Sequence, residues 1–303
     1  MANAINYAQE FLPFIIQMYE ADMRSYGLTF SNPQVRWLNA KTINIPNLTL
    51  SGYKDHSRSG GFNSGSVKNV YTPFTLKHDR DIEYRIDVMD VDETNLAVSM
   101  AGIQKTFEDE HAIPEKDSYR FSKIYQEFVE YGGTVDTTTI TVANALSWFD
   151  TQMEAMDDAG VPETGRLLYL TPAMYKIFKS AEGLTRVMHV NDGSGNTPVN
   201  RKIYDLDDVE LIKVPKDRFK TLYDFSDGCV ADDDALQINA ILIHPDSVVC
   251  RDRYEYIKVF TPGSDAYTGD DYVYQNRSYG DLFVLKQRLA GIAINAEAGS
   301  GSN

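Results

Sequence analysis

The sequence is poor in the residues that usually do chemistry. Cys229 and Cys250 are its two cysteines, and neither belongs to a C-x-x-C pair or a metal-ligand cluster. Reduced thiols in a cytosolic setting are therefore the default expectation, with a disulfide between the two as the alternative. The five histidines, His56, His78, His111, His189 and His244, are scattered, and none stands in H-E-x-x-H or another metal spacing. No Walker loop, no G-x-S-x-G elbow and no G-x-G-x-x-G after a strand occurs. Gly60, Gly61 and Gly65 lie close together, but no helix follows, so the dipole half of a phosphate cradle is missing. Basic residues are also few. Lys+Arg number 29 against 44 Asp+Glu, a formal charge of −15, which argues against binding a phosphate backbone. No apolar run reaches the roughly eighteen residues of a membrane span, and "MANAINYAQEFLPFIIQMYE" lacks the basic start of a secretion signal.

Acidic residues are abundant and cluster twice, at Asp87, Asp90, Asp92 and Glu93 and again at Asp232 to Asp234. Hard cations take oxygen ligands, so either cluster is a conceivable Mg²⁺ or Ca²⁺ site. The plainer readings are carboxylates at a helix start, where the dipole favours them, and a solvated loop. His244-Pro245-Asp246 reads as a turn after a strand. On these residues no catalytic, cofactor or metal site is expected, and the chain is not read as an enzyme.

What the sequence does contain is a mixed α+β pattern with one unusual insert. At 43% hydrophobic over 303 residues it can build a substantial core. Residues 1 to 26 carry Tyr7, Phe11, Phe14, Ile15 and Met18 at helical spacing around Pro13, which reads as an amphipathic arm packed on its own domain or docked on another subunit. "KTINIPNLTL" alternates Ile43, Ile45, Leu48 and Leu50, with Pro46 marking an edge-type strand. Then comes "SGYKDHSRSGGFNSGSVKN", five serines and four glycines in nineteen residues, far longer than a two- to five-residue hairpin connection. "YTPFTLKHDRDIEYRIDVMDV" follows, with Phe74, Leu76, Ile82, Tyr84, Ile86 and Val88 read as one long alternating run. Two long strands joined by a Gly/Ser tip make a projecting ribbon, and an isolated ribbon is marginal in water, so its apolar side needs a partner surface.

Further along, Glu93 to Ala112 is expected to be a helix capped by Thr94, with Leu96, Met100, Ile103 and Phe107 on one stripe and Pro114 stopping or kinking it. Phe121, Ile124, Tyr125 and Phe128 continue helical spacing to Gly132-Gly133. A helix through Val142, Leu146, Phe149 and Met153 closes at Gly160. "RLLYL" is a short buried strand, and Thr171-Pro172 starts the helix "TPAMYKIFKSA". Asn191 to Val199 reads as a flexible loop. "DVELIKVP", "QINAILIHP", "YEYIKVF", "DDYVYQNRS", "GDLFVLK" and "AGIAINA" are strand candidates, and no repeat of 20 to 50 residues is present.

The ordered series of aromatic arm, "GYKDHSRSGGFNSGSV", "LKHDRDIEYRIDVMDVDET", "HAIPEKDSYRFSKI", "LYLTPAMYKIFKSA" and "SYGDLFVLKQRLAGIAINAE" resembles the major capsid proteins of tailed bacteriophages with the Hong Kong 97-type fold. The resemblance covers nearly the whole chain through co-linearity rather than one diagnostic motif. It implies an N-terminal arm at 1–40, an extended two-stranded E-loop at 41–91, a peripheral domain with a long spine helix at 92–134 and 251–288, an axial domain at 135–250 and 289–297, and a disordered tail at 298–303. It further implies a subunit that self-assembles as hexamers and pentamers into an icosahedral shell enclosing double-stranded DNA. Assembly would occur in the host bacterial cytoplasm, giving a virion capsid, with a separate scaffolding protein, portal and cement proteins as possible partners, no sequence-specific nucleic-acid binding and no membrane. Contacts between subunits are expected from Phe11, Phe14, Ile43, Ile45, Leu48, Tyr53, Lys54, Arg58, Phe62, Phe74, Arg80 and Tyr84. Some such proteins cross-link through an E-loop lysine, for which Lys54 and Lys68 are the lysines near the tip. The competing readings are an encapsulin-like nanocompartment shell protein and a soluble oligomeric enzyme with a ribbon for dimerisation.

Overall fold

A computed structural model describes residues 22–29, 36–37, 41–56, 62–93, 100–181, 205–263 and 269–299. In chain order its strands are β1 (Arg36–Trp37), β2 (Thr42–Leu50), β3 (Val67–Thr75), β4 (His78–Asp87), β5 (Leu167–Leu170), β6 (Asp205–Leu206), β7 (Val209–Lys213), β8 (Tyr223–Asp224), β9 (Val230–Ala231), β10 (Ile238–Ile243), β11 (Val248–Phe260), β12 (Asp271–Val284) and β13 (Ile292–Ala296). Its helices are α1 (Val88–Glu93), α2 (Met100–Phe107), α3 (Ile113–Glu130), α4 (Ala145–Asp158) and α5 (Pro172–Lys179). The expected arm lies outside the described residues up to position 21, and Thr94, Leu96 and the Asn191 to Val199 loop lie outside them too.

A five-stranded sheet, β13-β10-β5-β7-β6, forms the centre. The inner strands β5 and β10 read as nearly continuous apolar runs because both faces are covered, whereas β7 keeps Glu210 and Lys213 exposed. In β5, Leu167 and Tyr169 point into a core shared with Phe121, Ile124 and Phe128 of α3. Leu168 and Leu170 point the other way, onto Ala145 and Phe149 of α4 and Phe178 of α5. The two-residue period of a strand thus feeds two cores from one tetrapeptide. Thr171 caps α5 as its sequence announces, accepting a hydrogen bond from the Met174 N–H at 3.3 Å.

The long helical element differs from expectation at Pro114. A proline inside a helix removes an N–H and crowds the carbonyl four residues back, so a stop or kink is the usual outcome. Here Glu108–Ala112 widens into a π turn, and its last residue, Ala112, and the flanking Phe107 and Ile113 all keep αR dihedrals. The wider turn accommodates the missing donor, and α2 runs on into α3 without a stop.

Two strand assignments also change. The run from Tyr71 to Val88 is not one strand. It breaks after Thr75, where Leu76 is buried and the Lys77 N–H is taken by the Asp281 carboxylate at 2.9 Å. β3 therefore pairs with β2, while β4 pairs with β12 in the separate sheet β11-β12-β4. Conversely, "DDYVYQNRS" and "GDLFVLK" form the single strand β12, because Tyr279 and Gly280 at their junction still pair with Asp79 and His78 across the ladder. Among the described residues β1 pairs only with Asn44 and Ile43, and an edge left open at Pro46 tolerates a residue without an N–H.

Candidate assembly surface

The ribbon β2–β3 is a nine-rung antiparallel ladder from Thr42↔Thr75 at its base to Leu50↔Val67 at its outer end. Its two ends differ in kind. At the base, Ile43 and Ile45 were expected to meet another subunit; both are instead buried on their own chain, with Leu76, Val249, Phe283 and Leu285. Cross-strand partners share a face, so Phe74, opposite Ile43, joins them and packs 5.1 Å from the Phe283 ring. An Ile side chain at 0% exposure has no surface left for a neighbour.

Polar contacts lock this base. Leu76 N–H donates to the Lys41 carbonyl at 2.8 Å. Asp281, fully buried, accepts from the Lys77 N–H, from the Leu282 N–H at 2.8 Å and from the Tyr119 hydroxyl at 2.8 Å, and pairs with Lys123. The Lys123 ammonium also lies 4.7 Å from the Phe283 ring centroid. Glu127, one turn along α3, accepts from the Val284 N–H at 2.6 Å, and burial pushes its carboxyl up to about 7. His78 stacks on Tyr119 at 3.9 Å, and burial, then the charge of Arg80, brings its imidazole down to about 4. The hinge between ribbon and body is thus a desolvated cluster fixed by α3 and β12.

The outer end is the opposite. Every described residue from Thr49 to Pro73 is exposed. Tyr53 and Phe62 are as exposed as in an extended chain, and Leu50, Val67 and Tyr71 project beside them. The loop has its own order: Ser51 N–H donates to Ser66 carbonyl at 3.1 Å, Ser66 N–H to Ser51 Oγ at 2.9 Å, and Asn63 Nδ2 to Asp55 carbonyl at 2.8 Å. Tyr53, Lys54 and Phe62 are all exposed on this ordered loop. Covering one such aromatic ring yields about 1.5–3 kcal/mol, and nothing among the described residues covers these two.

The remaining candidates divide. Phe11, Phe14 and Arg58 lie outside the described residues, as does the side chain of Leu48. Arg80 and Tyr84 sit on β4, away from the ribbon. Arg80 donates to Glu115 at 2.6 Å and to the Phe225 carbonyl, and Tyr84 stacks parallel to Tyr274 with Phe107 at its edge. They form one wall of a cleft of about 560 Å³ between β4, the π turn and the loop at 215–229. The sequence reading gave no hint of this cleft, since it joins residues more than a hundred positions apart.

Sequence reasoning also passed over Asp117. It lies on α3, fully buried, and accepts from the N–H groups of Arg24 and Ser25 at 3.0 Å each, from Ser25 Oγ at 2.8 Å and from Arg218 at 3.4 Å. It clasps the 3₁₀ turn Arg24–Leu28 to the spine of the molecule. The signal was there: a carboxylate four residues before Phe121, on the apolar side of the helix. In each acidic cluster the first carboxylate serves the backbone. Asp87 Oδ1 accepts from the Met89 N–H and Asp232 Oδ1 from the Asp234 N–H, and among the described residues no group of acidic, His or Cys side chains has metal-site geometry. Cys229 and Cys250 are both free thiols. No helix among the described residues is long and apolar enough to cross a membrane.

No family model and no curated protein matches the chain. Solved structures do. A structure from Mycobacterium phage Che8 superposes with a TM-score of 0.62 at 11% identity, over 97% of this chain and 98% of that one. The capsid structure of the cyanophage P-SCSP1u gives a TM-score of 0.66 at 15% identity over 97% and 93%, and the mature capsid of bacteriophage PhiM1 0.62 at 14% over 100% and 93%. With coverage this complete, the chain has the fold of these phage structures, two of them capsids.

Proposed function

We propose that the protein is the major capsid protein of a tailed bacteriophage, a structural subunit that self-assembles into an icosahedral shell around double-stranded DNA. The observation that carries this reading is the ribbon: anchored at its base on its own chain, bare at an ordered aromatic tip. A monomeric protein gains nothing from presenting Tyr53 and Phe62 fully to water, whereas a subunit that reaches over its neighbour does. The ribbon at 42–75 is then the E-loop, α2 to α3 the spine helix, the β11-β12-β4 sheet the peripheral domain, and the five-stranded sheet with α4 and α5 the axial domain. β4 belongs with the peripheral sheet, which shortens the E-loop from the 41–91 expected from sequence.

Shell formation needs only modest contacts. Each subunit gives and receives a ribbon, and closure leaves no interface unpaired, so a few kcal/mol per contact suffices when every subunit makes several. The charge of −15 fits a lining that does not hold a polyanionic genome. Hexameric and pentameric capsomers, assembly in the bacterial cytoplasm and the use of a separate scaffolding protein belong to the same reading. Sedimentation and electron microscopy of the purified protein test it: capsomers or closed particles are expected, and a dimer or tetramer that never assembles refutes it. Deleting Tyr53 to Asn69 is expected to leave a folded subunit and to abolish closed shells.

A further inference from the structure

The cluster under the ribbon holds an amine against a carboxyl group with little water around either. Lys123 Nζ of α3 stands 2.5 Å from Oδ1 of Asp281 in β12, 158 positions further along the chain. The Asp281 side chain is 0% exposed and that of Lys123 15%. Oδ1 is bonded to Cγ, so the nitrogen already stands beside the carbon it would attack, as a near-attack arrangement requires. The Tyr119 and Phe283 rings, 5.4 and 4.7 Å from Nζ, wall the pair in. As an ion pair alone this arrangement adds little net stability, because desolvating both charges offsets their attraction. It also gives no reason for a third ionisable group beside it.

That third group is Glu127. Its Oε2 is held by the Val284 N–H at 2.6 Å, and its Oε1 faces Lys123 Nζ at 3.8 Å. Burial brings its carboxyl up to about 7, so near neutral pH it both accepts and returns a proton readily. The second Asp281 oxygen, Oδ2, accepts from the Lys77 N–H at 2.9 Å. This is a fixed backbone donor at the oxygen where negative charge gathers when a nucleophile adds to Cγ. Oδ1, on the other side, accepts from the Tyr119 hydroxyl at 2.8 Å, a donor that steadies it as it departs.

We infer that Lys123 and Asp281 of the same chain condense into an isopeptide bond, with Glu127 as the proton relay. The Lys123 ammonium first passes a proton to Oδ1, an exchange favoured where charge is poorly solvated. The neutral amine then forms the Nζ–Cγ bond, and the charge on Oδ2 is met by the Lys77 N–H. Glu127 Oε1 takes one proton from Nζ and delivers it to Oδ1, the Cγ–Oδ1 bond breaks, and Oδ1 leaves with the electron pair as water. One water is released, nothing is oxidised or reduced, and Glu127 ends as it began. The product amide keeps the Lys77 N–H on its carbonyl. The bond lies within one subunit and ties α3 to β12, so neither a ribbon lysine nor shell formation takes part in it. Condensation follows folding and is slow beside it, so a freshly folded chain carries the ion pair.

Mass spectrometry of the denatured chain tests this without any variant. Folded wild-type protein held at neutral pH is expected to become lighter by one water. Trypsin is then expected to leave Lys123 uncut and to release a branched peptide joining residues 121–166 to 278–286. Lys123→Arg is expected to hold its full mass throughout. Glu127→Gln retains the amine, the carboxyl group and an acceptor for the Val284 N–H, and is expected to slow linkage at least tenfold. A wild-type chain that keeps its full mass after prolonged incubation overturns the bond. So does a water lost elsewhere, as in a backbone succinimide, with Lys123 still open to trypsin. A folded Glu127→Gln chain that links as fast as wild type overturns the relay.

Discussion

Replacing Glu127 by glutamine is expected to stabilise the isolated subunit above pH 7 and to change little below pH 4.5. Its carboxyl sits near the ordinary 4.5 in the unfolded chain and at about 7 in the folded one, chiefly because burial penalises the charge. Between those values the folded state holds a proton that the unfolded state has lost. Stability therefore falls as pH rises from about 4.5 to about 7, and the loss is complete above that. At 1.36 kcal/mol per unit, a shift of this size costs at most about 3 kcal/mol at pH 8. The amide of the Glu127→Gln variant would keep an acceptor for the Val284 N–H, and Lys123 would keep its partner Asp281, so only the charge is removed.

The neighbourhood makes the wild-type profile alone uninformative. His78 is brought down to about 4 from 6.5, so as pH falls through that window the unfolded chain takes up a proton the folded chain refuses. His78 thus stabilises with rising pH where Glu127 destabilises, and the two slopes oppose one another between about 4.5 and 6.5. The difference between variant and wild type isolates Glu127. Urea unfolding of assembly-blocked subunits at pH 4.5, 6 and 8 measures it, read as midpoint shifts at constant slope. A variant less stable than wild type at pH 8, or a gain that does not grow between pH 4.5 and 8, would refute the reasoning.

Three further substitutions test the anchoring of the ribbon and the local code. Ile43→Ala removes a fully buried side chain from the base cluster and is expected to cost about 2–5 kcal/mol, with proteolysis at the ribbon base accelerating before global unfolding. Asp281→Ala leaves the Lys123 ammonium with only its longer, 3.8 Å pairing to Glu127 and frees the Lys77 N–H, for an expected loss of about 3 kcal/mol by chemical denaturation. Thr171→Ala deletes the cap of α5 and is expected to cost about 1 kcal/mol, with no effect on particle assembly because the cap faces its own core.

Local features were legible in sequence where chain neighbours decide them. Thr171-Pro172 announced α5, the apolar tetrapeptide at Leu167 to Leu170 announced a doubly covered strand, and the Gly/Ser insert announced the ribbon. What failed depended on residues far away in the chain or on a local departure from α-helical hydrogen bonding. The break at Leu76-Lys77 is imposed by Asp281, two hundred positions on, and the helix passes Pro114 because a π turn precedes it, which no periodicity reveals. The cleft joins β4, the spine and the loop at 215–229, so its parts look unrelated in the sequence. Asp117 stands on the apolar side of its helix in the sequence, but the burial of Glu127 shows only once β12 is packed over it.

The division of the ribbon into a buried base and a bare tip resolves how one apolar hairpin serves two purposes. Alternation alone cannot separate Ile43 and Ile45, which pack on Val249 and Phe283 of the same chain, from Tyr53 and Phe62, whose rings stand fully in solvent. The first pair orders the ribbon before any neighbour arrives, so the second pair can be buried without again losing the conformational entropy of the strands. A ribbon that ordered only on contact would offset several kcal/mol of its own contact energy. With the base fixed in cis, the gain from covering two aromatic rings goes into association. In a shell of the kind proposed above, such a gain would be small enough per contact for a misplaced subunit to leave, and decisive only when every copy in the closed assembly makes the same contact.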